Sequence, residues 1–295
     1  MSTYQFLSLA TKPCAQLGYS FHPAVGSVKP ALVVFVNGLG LPQTSLQALP
    51  PAAGLPAMLT YDRYGQGQTT DRDPGDISAE DPMHGHDTLT LGVSDLSRLP
   101  LILVSNSIGG ALVRLYAQEY PGTVAGLLFL DSVLANSDFV SIYPDPEAAG
   151  FDPTSLPEGV TVDAIHAARA FMQRVFHPSN GSREGLGRKN LMQLLPHSDG
   201  PKLQGPDGRG PWVTVVGHEL EAFKVEFEQM GGASPSLIEV YMNPYWHRFN
   251  EGLAKLTEQD RSKGPLQAPG AGHFVHRDNP ELVFNELHEV LDKVL

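Results

Sequence analysis

The chain has 295 residues, 41% hydrophobic and 18% charged, enough to bury the core of one large domain. A formal net charge of −12 argues against nucleic acid and anionic membrane surfaces as partners. Cys14 is the single cysteine, which excludes an intramolecular disulfide, and no apolar stretch approaches the roughly 18 residues of a membrane span. The start, Met1–Leu7, lacks a basic segment and a long apolar run, so a cytoplasmic protein is expected.

Strand and helix signals alternate along the chain, the pattern of a mostly parallel sheet covered on both faces. Residues 4–10 and 16–22 read as short opening strands. Ala31–Val36 is a continuous apolar, β-branched run suited to a central parallel strand, and a loop follows at Asn37-Gly38-Leu39-Gly40. A strand at Ala57–Tyr61 runs into Asp62-Arg63-Tyr64-Gly65-Gln66-Gly67, whose glycines mark tight turns. Asp87–Leu99 reads as a short helix. His84 and His86, just before it, suit a loop capped by Asp87 better than a metal site. Leu101–Val104 reads as a buried strand, followed at once by a helix to about Tyr120. Val124–Leu130 is a further buried strand, ending at Asp131.

From 135 to 210 Pro, Gly, Ser and Asp accumulate, with amphipathic helices expected at Val162–Phe176 and Glu184–Leu195. This segment reads as a helical cap inserted after the sixth strand, with too little core to stand alone. Residues 1–134 and 211–295 then form the main domain. The strand rhythm resumes at Trp212–Val216. A helix at Pro244–Leu256, a strand near Leu266, a loop at Pro269-Gly270-Ala271-Gly272-His273 and a helix at Pro280–Val294 complete the chain.

Ser105-Asn106-Ser107-Ile108-Gly109 lies where a strand turns sharply into a helix. Such a turn has room only for small residues two places either side of its apex, and it holds the apex residue strained and exposed. Ser105 and Gly109 are small, and Ser107 stands at the apex. A serine hydroxyl is a poor nucleophile until a base takes its proton. His273, in a glycine-rich loop after the last strand, is the leading base. His276, three residues on, is the alternative.

These motifs resemble the α/β-hydrolase fold superfamily over nearly the whole chain. Asn37-Gly38 looks like that family's oxyanion loop with Asn in place of His, and Asp62–Gly67 is similar to its Asp-x-x-Gly-x-Gly turn. Gly272-His273-Phe274, with Asp278-Asn279-Pro280-Glu281, resembles its histidine loop and the helix after it. The elbow departs from Gly-x-Ser-x-Gly by carrying Ser105 first. The resemblance implies an α/β-hydrolase fold and an oxyanion hole on the Leu39 and Ile108 amides. It also implies a carboxylate to orient the histidine. Relatives most often carry that acid after the strand following the cap, where this chain reads Gly217-His218-Glu219 and offers Glu219. Others place it after the strand following the elbow helix, and there Asp131 stands. Asp131 ranks first.

The expected activity is cleavage of a carboxylic ester or lactone of a small to medium, fairly apolar molecule, needing no metal or organic cofactor. Thioester hydrolysis, acyl transfer, carbon–carbon cleavage and a non-turnover ligand receptor are the alternatives. Serine at the elbow argues against haloalkane dehalogenase and epoxide hydrolase chemistry, for which the resemblance implies a carboxylate nucleophile. Phe171, Met172 and Phe176 of the cap, with Tyr241 and Trp246, are candidate pocket residues. Phe249 belongs with them, although aromatic residues on an amphipathic helix are more often core.

Overall fold

The computed structural model describes residues 4–9, 12–24, 30–45, 55–71, 99–182 and 184–295. The expected Asp87–Leu99 helix falls, except for Leu99, outside them, as do His84 and His86. The strands are β1 (Gln5–Leu9), β2 (Lys12–His22), β3 (Leu32–Val36), β4 (Ala57–Tyr61), β5 (Leu101–Ser107), β6 (Val124–Ser132), β7 (Trp212–His218) and β8 (Ser262–Ala268). They form one sheet in the order β1-β2-β4-β3-β5-β6-β7-β8. β1 and β2 are antiparallel additions at one edge, and the remaining pairings are parallel.

The central strands alternate between two apolar layers, as a sheet covered on both faces requires. Val34, Val36, Leu103, Leu127, Phe129 and Val215 face one layer. Val33, Phe35, Ile102, Val104, Leu128 and Leu130 face the other. The first layer receives α1 (Ile108–Glu119) and α2 (Val162–Val175), the second the final helix α7 (Pro280–Val294). Between β6 and β7 lie α2, the single turn α3 (Leu191–Leu194) and long irregular connections. After β7 come α4 (Leu220–Gln229) and α5 (Asn243–Ala254), and after β8 the short α6 (Val275–Asp278).

Two expectations are corrected. The Glu184–Leu195 helix shrinks to α3, because Gly185 sits at φ 76° and breaks any helix running through it. Helix α4, absent from the expected elements, starts one residue after the end of β7 and buries Phe223 and Phe227, four residues apart on one face.

Chain order takes β3 first to β4 on one side and then to β5 on the other. The loops leaving β3 and β5 therefore diverge and open a crevice at the carboxyl ends of the strands. Open α/β sheets bind ligands at such a point.

Candidate active site

Ser107 ends β5 and precedes the first residue of α1, at φ 54° and ψ −122°. A non-glycine residue at positive φ is strained, and the turn persists because its surroundings determine it. A Cβ on Gly109 would run into the Val36 carbonyl, and one on Gly110 into the Ser132 side chain. Ser105 is fully buried. Asn106 lies behind the turn, its Nδ2 donating to the Leu130 carbonyl (3.0 Å) and the His273 carbonyl (3.1 Å). One amide thus ties the elbow to the distant histidine loop.

Asp131 owes its position to a slip in register between β5 and β6. Asn106 pairs with Leu130 but Ser107 with Ser132, so Asp131 is the extra residue, held at φ 45°. A bulge of this kind re-aims the side chain of the residue it carries. The fully buried carboxylate accepts from His273 Nδ1 at 2.6 Å through Oδ2. Its Oδ1 accepts from His218 Nδ1 (2.9 Å) and from the His218 backbone N–H (3.2 Å). Burial alone would push this carboxyl up. The charge and hydrogen bonds of the two histidines outweigh it and hold the pKa down at about 2. For His273, burial works against protonation. The hydrogen bond and charge of Asp131, with the charge of Glu226, overcome that and raise the imidazole above its ordinary value.

Glu219 does not approach the imidazole. Its Oε2 accepts from the Gly270 N–H (3.1 Å) and its own N–H donates to the Ala271 carbonyl (2.8 Å), so it braces the histidine loop through the backbone. His276 is buried with neither ring nitrogen hydrogen-bonded, and burial, then the His273 and Arg277 charges, press its pKa down to about 4. It does not line the cavity that His273 lines.

Sequence reasoning overlooked four residues. His218 shares Asp131 with His273, while its Nε2 faces Asn243 Oδ1 at 3.2 Å. Its ring stacks on Phe223 with centroids 4.0 Å apart. Glu226, on α4, accepts from the His273 backbone N–H at 2.6 Å. Arg63 donates to the Asn37 and Gly38 carbonyls (2.8 Å each) and pairs with buried Glu184 at 3.1 Å. Glu184 in turn accepts from the Gly40 N–H (3.2 Å), so the Leu39 loop is pinned from two sides. The one available signal was the helical spacing of Phe223 and Phe227, which would have placed Glu226 on a helix beside the loop.

A cavity of about 250 Å³ opens over the elbow. Ser107, His273, Leu39 and Ile108 line it, with Phe139, Phe176, Phe223, Phe227, Met242 and Trp246 among its apolar walls. Trp246 packs edge-on to His273 and donates its indole N–H to the Ser132 carbonyl at 3.0 Å. Of the expected pocket residues, Phe176 and Trp246 line the cavity. Phe171 and Met172 do not, because with Ile165 and Ala168 they form the inward stripe of α2 and are buried in the core. Tyr241 packs instead against Tyr143, centroids 6.0 Å apart, and Phe249 is core. No helix among the described residues is long and apolar enough to cross a membrane.

A sequence model of the alpha/beta hydrolase family matches residues 33–286. No curated protein matches the sequence. Among solved structures, a mutant epoxide hydrolase from Vigna radiata superposes with a TM-score of 0.61 at 13% identity, covering 99% of each chain. A thermophilic esterase from Thermogutta terrifontis gives 0.56 at 18% identity, again with 99% of each chain covered. A loop variant of a haloalkane dehalogenase from Bradyrhizobium elkanii gives 0.56 at 16%, covering 100% of this chain and 97% of the other. At these identities the likeness is one of fold.

Proposed function

The chain belongs to the alpha/beta hydrolase family, and from that premise we propose that it is a serine hydrolase of carboxylic esters or lactones of small to medium size. Ser107 Oγ attacks the carbonyl carbon as His273 Nε2 takes its proton. Asp131 holds the imidazole by Nδ1, fixing the tautomer that leaves Nε2 free to accept, and stabilises the imidazolium. The backbone N–H groups of Leu39 and Ile108 receive the oxyanion. His273 then protonates the departing alcohol, and water activated by the same nitrogen attacks the acyl-serine, returning Ser107 and releasing the acid. Residues 135–210 act as a cap that selects substrate.

The observation that carries this reading is the strained Ser107 sharing a cavity with His273, whose Nδ1 is gripped by a buried carboxylate at 2.6 Å. A serine serving only as a turn residue has no need of an oriented imidazole across a cavity. The test is steady-state turnover of a panel of aryl esters and lactones by wild type and Ser107→Ala. Many turnovers per wild-type molecule, abolished in a variant that melts normally, are expected. Stoichiometric binding without turnover would favour the receptor alternative, and full activity in the variant would overturn the mechanism.

A further inference from the structure

Arg188 is 93% buried, at 7% relative exposure, and it lines the cavity that holds Ser107 and His273. Among the described residues its only hydrogen bond is a long one, Nη2 to the His177 carbonyl at 3.4 Å, and its Nε has no partner there. A guanidinium carries five N–H donors and keeps its charge, so burial in this state strands most of its binding capacity. No carboxylate among the described residues pairs with it. Glu184, four residues earlier, is taken by Arg63 and the Gly40 N–H. Glu226, the one acid among the described residues that line the cavity, is engaged by the His273 backbone N–H and faces Arg277 at 3.9 Å. The other buried arginines among the described residues, Arg63 and Arg114, also keep a nitrogen without a partner, but Arg63 binds two carbonyls and a carboxylate, Arg114 donates to two carbonyls, and neither lines the cavity.

We propose that Arg188 is an anion subsite of the active-site cavity, so that the substrate carries a carboxylate away from its scissile ester bond. Resting on the hydrolase reading above, this narrows the substrate from any small to medium ester or lactone to one of an acidic molecule. A carboxylate matches the planar fork of the guanidinium with paired N–H···O bonds. A monoanion suits the site better than a phosphate dianion, because Arg188 is the single Lys or Arg lining the cavity among the described residues and Glu226 shares it. The apolar walls would take the carbon chain joining the two polar ends. The net charge of −12 repels anions in general, so a preference for an anionic ester has to arise locally.

Nitrophenyl half-esters of glutaric, adipic and suberic acid, each compared with its methyl-capped diester, read out the subsite as a ratio of kcat/KM. In wild type the acid is expected to exceed its capped partner by about tenfold or more at one chain length. The ratio should fall to about one in Arg188→Met and be partly kept in Arg188→Lys. A wild-type ratio at or below one at every length overturns the proposal, and so does an undiminished ratio in a folded Arg188→Met. Should that variant fail to fold, Arg188→Gln takes its place, and the wild-type ratio needs no variant. Calorimetric binding of the half-esters to Ser107→Ala separates this proposal from the one it rests on. Acid-dependent binding that is lost in the Ser107→Ala, Arg188→Met double variant supports the subsite even if wild type releases no nitrophenol, a result that would sink the hydrolase reading alone. Equal binding of acid and capped ester sinks the subsite.

Discussion

At the scale of single residues, Asp131 carries the heaviest demand. It is fully buried, conformationally strained and shared between two histidines. Asp131→Asn should lower kcat by about 10³-fold or more, since an amide can present an N–H to the imidazole and trap the wrong tautomer. Glu219→Gln, which alters only a brace on loop backbone, should change kcat by less than about threefold. The pH profile gives an independent reading. His273 works as a base only when neutral, and its pKa is raised, so activity should fall as pH drops through a value above about 6.5. Asp131→Asn removes the hydrogen bond and charge responsible, so the inflection should move to lower pH in whatever activity remains. Reversal of the two kcat effects would move the acid to the loop after β7.

At the scale of elements, the junction of β5 with α1 sets the geometry that the chemistry uses. Helix α1 starts against β3 so closely that the second residue after Ser107 meets the Val36 carbonyl. Gly109→Ala should therefore destabilise the fold by about 2–4 kcal/mol, the cost of overpacking against backbone that cannot move aside. Urea denaturation checks it, and a variant as stable as wild type would mean that the approach is looser than described. Sequence pattern made this element legible because its requirements are local: an apolar run, small residues at fixed offsets and a helical continuation. Helix α4 was missed because only Glu219 separates it from β7, so no turn signal marks its start. The Glu184–Leu195 pattern failed for the opposite reason, its periodicity being broken by glycine.

At the scale of the whole molecule, a mostly parallel sheet covered by helices was written in the alternating strand and helix signals, and Ser107 and His273 were found in the loops that follow its strands. Asp131 could be named only as one of two acids, because the choice depends on a bulge in β6 and on which loop crosses over it. The contact of His218 with Asp131 was not legible, and that of Glu226 with the histidine loop was legible only as far as its place on a helix. Each joins segments far apart in the chain, residue 131 with 218 and 226 with 273. Periodicity reports which face a residue takes on its own element and says nothing about which distant loop will meet it there.

The central claim is that Ser107 is activated by His273. Its most direct test is the intact mass of wild type and Ser107→Ala after exposure to a reactive fluorophosphonate. The account predicts one covalent adduct on wild type and none on the variant. A folded wild type that stays unlabelled, or equal labelling of both proteins, would contradict it.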